Sequence, residues 1–398
     1  MESTSNPAGP TMSLPASPDS LVAAFAQVPD PRRKASVTYP LAAILAMAVV
    51  AILANHTSVL AIAEWGARQP ADLLGRLGFR TGRTPCQSTL QRLFAKLDGH
   101  ALASVLRAHF AATTPPAATL EGVAIDGKAF RGQLQYAEGG CPVHALTAFC
   151  HDHGVVLAHE PIEHGADKSE AELTVAPALI EQVAWRNRVL TGDALFCQRH
   201  LCQQVLDAGG DYLLLVKENQ PTLYAAIALL FDPPPADALP LVDRREVRTV
   251  ERGHGRRDDT RRLVASTDLT GYLDWPGLGQ VFRLEHSWRE RGRRKCQLHY
   301  GITSLGPERG TPAQLLTLKR GHWVIENRLH RGKDVTFGED ASLIHVGQGP
   351  TVMAIVREAA ISLLYRAGSR RLRARLREYG QRPELAVALV IGSPPTRA

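Results

Sequence analysis

No apolar run in this 398-residue chain is long enough to cross a bilayer. The run Leu41 to Ala54 spans fourteen residues, against about 20 needed for a hydrocarbon core of roughly 30 Å, and it starts too far from Met1 for a secretory signal. It is expected to be a buried core helix. Cysteine is scarce as well. Six residues without a C-x-x-C pair or regular spacing exclude a disulfide framework and fit a reducing cytoplasm. No internal repeat is present, and the length excludes a lone peptide-binding module in favour of two or three globular units. Neither sign of charge dominates: 46 Lys and Arg against 39 Asp and Glu leave +7, a mild excess whose weight lies in where it clusters. A soluble cytoplasmic protein with no membrane contact is expected.

What is present falls into segments. Residues 1–20, rich in Ser, Pro, Asn and Thr, read as disordered. Residues 21–112 carry helical patterning broken at Pro70, Gly78 and Gly82-Arg83-Thr84-Pro85, which predicts an all-helical N-terminal domain. After Thr113-Thr114-Pro115-Pro116 the character changes to short β-like runs at Gly122–Ile125, Val143–Phe149 and Val155–His159, an expected antiparallel meander. Helix Ser169–Trp185, strand Arg188–Leu190, helix Gln198–Ala208 and strand Tyr212–Val216 then alternate as βαβ units. Three antiparallel strands followed by helix-linked parallel ones is the order of an α/β, ribonuclease-H-like mixed sheet flanked by helices. This core is expected over 118–220 and 312–368. Residues 221–311, with Asp232-Pro233-Pro234-Pro235 and β-like pieces at Gln280–Leu284 and Gln297–Ile302, read as a β-rich insertion, and 369–398 as a basic C-terminal tail.

Asp126 ends the apolar run Val123-Ala124-Ile125, and Asp193 follows Val189-Leu190-Thr191-Gly192. Singly these would be a hairpin turn and a helix N-cap. At the ends of neighbouring strands, however, two carboxylates repel unless a cation lies between them. An all-oxygen site suits Mg²⁺, with Mn²⁺ as substitute, and a pair of ions can activate the attacking oxygen and stabilise the leaving one in phosphoryl transfer. A third carboxylate is offered by Glu326. At 100° per residue Lys319, His322, Glu326, His330 and Lys333 form one narrow stripe beside the apolar strip Leu318, Ile325, Leu329. One acid among four cations predicts a catalytic carboxylate bordered by phosphate contacts.

Further features are less specific. Between Val242 and Leu263 stand eight arginines and five acids. This is either a salt-bridged hairpin or a DNA-contacting face including Arg256 and Arg257, joined by Arg289, Arg291, Arg293, Arg294 and Lys295 near Trp288, whose ring could stack on an unpaired base. The arginines at 370, 371, 373, 375 and 377 fit a DNA grip or a solvated face equally. His151-Asp152-His153 beside Cys150 lacks a second pair at zinc spacing and reads as surface loop.

The chain resembles bacterial insertion-sequence transposases of the DDE superfamily, specifically the H-repeat-associated group. The matching blocks are Phe25-Ala26-Gln27-Val28-Pro29-Asp30-Pro31-Arg32-Arg33, Ala124-Ile125-Asp126-Gly127-Lys128, Thr191-Gly192-Asp193-Ala194, Val216-Lys217-Glu218-Asn219-Gln220, His254-Gly255-Arg256 and His322-Trp323-Val324-Ile325-Glu326-Asn327. The resemblance implies that Asp126, Asp193 and Glu326 form a metal-binding triad that cuts DNA at element ends and transfers the freed 3′-hydroxyl to target DNA, with two ends held by at least a dimer at the nucleoid. Relatives carry a tyrosine, an arginine and a lysine around the Glu; Lys319, His322 and Lys333 stand there, and Arg331 replaces an aromatic after His330. The alternatives are a non-catalytic transposase-derived DNA-binding protein and a ribonuclease-H-like nuclease.

Overall fold

Apolar side chains at every position from Leu41 to Leu53 leave that helix no polar face, and it is buried on all sides. The computed structural model describes residues 17, 19–114, 119–129, 144–162, 168–231, 243–253, 256–290 and 293–392. The helices preceding the sheet are α1 (Leu21–Phe25), α2 (Leu41–Leu53), α3 (Val59–Ala67), α4 (Ala71–Arg76), α5 (Gln87–Phe94) and α6 (Gly99–Thr113). Among the described residues no helix is long and apolar enough to cross a membrane.

Next come β1 (Glu121–Ala129), β2 (His144–Cys150), β3 (Val156–Ile162), α7 (Lys168–Glu181), β4 (Arg188–Gly192), α8 (Arg199–Asp207), β5 (Asp211–Val216) and α9 (Pro221–Phe231). The order β3-β2-β1-β4-β5, with β1, β4 and β5 parallel and β2 and β3 antiparallel, is the ribonuclease-H-like arrangement expected from the element order. Four further strands, β6 (Arg245–Gly253), β7 (Arg256–Ser266), β8 (Gln280–Glu290) and β9 (Arg293–Thr303), form the β-rich insertion. They are no separate body: β9 pairs with β5, so one nine-stranded sheet runs through both parts. The edge groups of β5 account for this continuity, because an uncovered edge pairs with an available strand.

Helix α10 (Pro312–Gly321) starts from a capping box at Thr311 and Gln314 and buries Leu315, Leu316 and Leu318 against Val189, Leu213, Leu263 and Leu284. One apolar cluster thus ties both halves of the sheet to the helix that leads to Glu326. At β8–β9, Gly301 lies opposite Phe282, and a Cβ there would overlap the Phe282 ring and come within 2.7 Å of the Leu214 carbonyl. Gly301→Ala is expected to cost about 1–3 kcal/mol through overpacking. Denaturant unfolding showing no loss would remove this glycine from the constraints on the sheet.

The remaining helices are α11 (Gly349–Arg366), α12 (Leu372–Gln381) and α13 (Pro383–Ile391). The chain divides into two compact units: residues 1–114, 130–142 and 331–398, and residues 115–129 and 143–330. This differs from the segments read along the sequence. Residues 331–368, assigned there to the catalytic core, cluster with the N-terminal helices, because α11 is buried along nearly its whole length and packs on α2 and α6. Of the basic C-terminal segment, whose arginines read as a helix, the described residues fold into α12 and also α13, whose apolar residues pack on α2. Most of the stretch expected to be disordered, residues 1–20, lies outside the described residues, as do Asp232-Pro233-Pro234-Pro235, His254, Gly255 and Arg291.

Candidate functional site

Successive side chains of a strand point to opposite faces of the sheet, which sets the direction of Asp126. The neighbouring Gly127 faces α7, since a Cβ there would collide with Glu172, so Asp126 looks to the other face. Asp126 lies inside β1, paired with Thr147, and so is no hairpin turn. In the parallel pairing of β1 with β4, Ala124 is level with Thr191. Asp126 and Asp193 each follow by two residues, Asp126 still inside β1 and Asp193 just past the end of the neighbouring β4.

Past α10 the helix continues as π-helical turns at Ile325–His330 and Gly332–Thr336, the second closed by Phe337 N–H donating to Gly332 C=O at 3.1 Å. Such turns cluster at functional sites. Here they bring Glu326 and His330 over β1. The His330 Nδ1 is 2.9 Å from Glu326 Oε2 and 3.4 Å from Asp126 Oδ2. The imidazole is buried, whereas Glu326 is half-exposed. Among the described residues, Asp126, Glu326 and His330 thus offer three ligand atoms within 4.8 Å of one another. A cation-capable ring between two carboxylates marks the place where a positive charge is wanted, and the hard oxygen donors fit a divalent ion such as Mg²⁺ or Mn²⁺.

Asp193 stands outside that trio. Its Oδ1 accepts from Leu195 N–H at 2.9 Å, capping the short turn Ala194–Phe196, and it lines a cleft of about 930 Å³ shared with Lys217, Arg261, Lys319, His322 and Trp323. The structure therefore brings Asp126 and Glu326 together and sets Asp193 on the neighbouring strand at the mouth of this basic cleft. Sequence reading counted Arg261 among the insertion arginines and Lys217 within a matching block without placing either at the site, and missed His286 and His299; Lys217 follows β5 and the other three come from the insertion strands. No local pattern marks a residue that reaches the site only through sheet pairing. It assigned His330 to phosphate contact, although its i,i+4 spacing from Glu326 was open to view.

Two further expectations change. Lys333 does not continue the stripe, because a π turn advances less angle per residue than 100°; its amine is buried against Glu339 and Glu358. Trp288 is largely buried with its ring against His286, so an exposed stacking surface falls instead to Trp323, 55% exposed beside the cleft. The acids among the insertion arginines are paired, Arg262 with Glu246 at 2.6 Å and Arg261 with Asp259 at 2.9 Å, as a salt-bridged hairpin requires. A second cleft, of about 540 Å³, nevertheless collects Arg248, Arg262, Arg289 and Arg294 on one face. The side chains of Arg256 and Arg257 lie outside the described residues.

Burial lowers the pKa of His322 to about 4, with the Lys319 charge adding to the effect, and that of His151 to about 3, with His322 and Arg328 adding. Both rings are neutral at pH 7, so His322 brings no charge to the cleft it lines. The unfolded chain protonates these rings near 6.5 and the folded chain does not, so stability is expected to fall as pH drops from about 6.5 toward 4. A thermal midpoint unchanged between pH 7 and pH 4.5 would contradict it.

Residues 22–110 match the family described as "DDE_Tnp_1-associated" and residues 118–363 the family described as "Transposase DDE domain". Among curated proteins the chain is 28% identical over 356 residues to "Putative transposase YncI" of Escherichia coli O157:H7, covering 87% of each. It is 24% identical over 359 residues to "H repeat-associated putative transposase YhhI" of Escherichia coli strain K12, covering 86% of this chain and 91% of the relative. Among solved structures it aligns with a piggyBac transposase synaptic complex with hairpin DNA at a TM-score of 0.40 and 11% identity, over 95% of this chain and 80% of the other.

Proposed function

We propose, because the chain belongs to the Transposase DDE domain family, that it is a DNA transposase using Asp126, Asp193 and Glu326 to cleave element ends and join the freed 3′-hydroxyl to target DNA. The observation that carries this reading is the meeting of Asp126 and Glu326 around His330, with Asp193 on the adjacent strand end. Divalent ions held by these oxygens would supply Lewis acidity, activating the attacking oxygen and neutralising charge on the leaving one. The protein's own task is to position DNA. Lys217, Lys319 and Arg261 supply cations for phosphate oxygens, and Trp323 a flat apolar face for a base. Two ends have to be held together for strand transfer, which calls for at least a dimer on DNA.

The deciding experiment incubates the full chain with DNA carrying the inverted repeats that flank its gene, with Mg²⁺ or Mn²⁺ and with chelator. End-specific nicking that needs the metal supports the reading. Binding without cleavage would favour a transposase-derived DNA-binding protein, and cleavage without end preference a ribonuclease-H-like nuclease.

A further inference from the structure

A second cluster of metal-type ligands lies toward the other end of β1. Glu121 opens this strand five residues before Asp126, about 16 Å away along it. Cys150 ends β2, and His153 follows in the turn, a Cys-x-x-His spacing. The fold brings Glu121 to both: its Oε1 accepts from Cys150 Sγ at 2.6 Å and lies 2.6 Å from His153 Nδ1, while Sγ and Nδ1 are 3.6 Å apart. The carboxylate is held from behind, Oε2 accepting from Arg188 Nε at 3.2 Å. His153 N–H donates to Cys150 Sγ at 3.3 Å, while burial and the Glu121 carboxylate hold the thiol well above its usual range. Cys150 and Glu121 are 1% and 2% exposed, but the His153 side chain is 35% exposed and leaves a path to solvent. The sequence set this segment aside because no second ligand pair stood at zinc spacing; the missing carboxylate comes from the neighbouring strand.

The geometry points to a binding site for Zn²⁺ or a similar borderline-soft ion formed by Cys150, His153 and Glu121, separate from the all-oxygen site. Bond lengths of about 2.3 Å to sulfur and about 2.1 Å to nitrogen at a tetrahedral angle place the two ligand atoms about 3.6 Å apart, the separation observed. Glu121 Oε1 has to withdraw by about 1 Å from its hydrogen-bonded position to complete the same tetrahedron. One thiolate, one carboxylate and a neutral imidazole balance a divalent charge, and binding releases the Cys150 proton to solvent. Water from the His153 side takes the fourth position. Sulfur and nitrogen donors select zinc or cobalt over Mg²⁺. The bound ion would join β1 to β2 and, through Arg188, to β4, bracing from behind the two strands that present Asp126 and Asp193.

Cobalt tests this without any DNA. Chelator-treated full-length protein titrated with Co²⁺ should develop a thiolate-to-cobalt charge-transfer band and tetrahedral visible bands, saturating at one equivalent. Zn²⁺ should displace them, and excess Mg²⁺ should not. Cys150→Ser should lose the band, Arg188→Gln should bind roughly 10–100-fold more weakly, and Asp126→Asn should keep it. No band in the unaltered protein, or one that survives Cys150→Ser through the exposed Cys86 or Cys296, overturns the proposal. If Cys150→Ser does not fold, His153→Gln on the open side decides: cobalt affinity unchanged in that variant overturns the site equally.

Discussion

Asp193→Asn is expected to slow metal-dependent cleavage of element ends by about a thousandfold or more while leaving fold and DNA binding intact. The substitution keeps size and shape, and asparagine caps a helical turn about as well as aspartate, so the hydrogen bond from Leu195 N–H survives. What disappears is one negative charge just past the end of the strand next to β1. Metal-assisted charge stabilisation in a transition state is worth several kcal/mol, and each 1.36 kcal/mol is tenfold in rate, so loss of one ligand charge translates to about 10³. Single-turnover cleavage in Mg²⁺ and in Mn²⁺, run beside a binding titration on the same labelled ends, measures both quantities. Cleavage within tenfold of the unaltered protein would remove Asp193 from the proposed triad and leave it as the cap it also is.

Lys333→Met is expected to destabilise the unit containing it by about 3–5 kcal/mol, the cost of leaving a buried charge without its partner. Lys333 Nζ sits 2.7 Å from Glu358 Oε1 and 3.4 Å from Glu339 Oε2, and Arg357 pairs with Glu339 at 3.3 Å. None of the four is more than 4% exposed. Two cations and two anions balance, so removing one cation strands a carboxylate in a medium that cannot solvate it. Burial pushes the Lys333 pKa down, but the Glu339 and Glu358 carboxylates outweigh it and the net shift is upward from 10.5. A raised lysine keeps its full contribution below the ordinary lysine range and loses it only as pH rises through the raised value, so the effect is complete at pH 7. Denaturant unfolding of the full chain, followed by probes in both units because they need not unfold together, measures the loss. Pairing Lys333→Met with Glu358→Leu should recover part of it. A variant of normal stability that binds DNA weakly would return Lys333 to the phosphate stripe in which the sequence places it.

The contrast between Lys333 and Asp126 shows where sequence reasoning succeeds. The two strands were legible as apolar runs, although β1 continues past Asp126 to Ala129, and two such strands in a βαβ alternation have few topologies open to them. Glu326 was legible as a lone acid in a basic stripe. Lys333 lies only seven residues further on, yet its position depends on how many residues make each turn, and an α-helical count fails once the chain widens into π turns. His330 needed the same geometry to be placed between Asp126 and Glu326.

Local chemistry along the chain settled the strands and helices of the ribonuclease-H-like core, their order and the family, since hydrophobic period, turn residues and motif spacing are properties of neighbouring residues; it missed that the segment read as a β-rich insertion opens with the helix α9. Tertiary structure alone decided the rest: that the insertion strands continue the sheet through β9 on β5, that the described residues from 331 on pack with the N-terminal helices, and that Glu121 reaches Cys150 and His153. Each of these joins residues far apart in the chain, held by edge pairing, apolar burial or a shared charge, and a local pattern shows that a face is buried without showing which distant partner covers it.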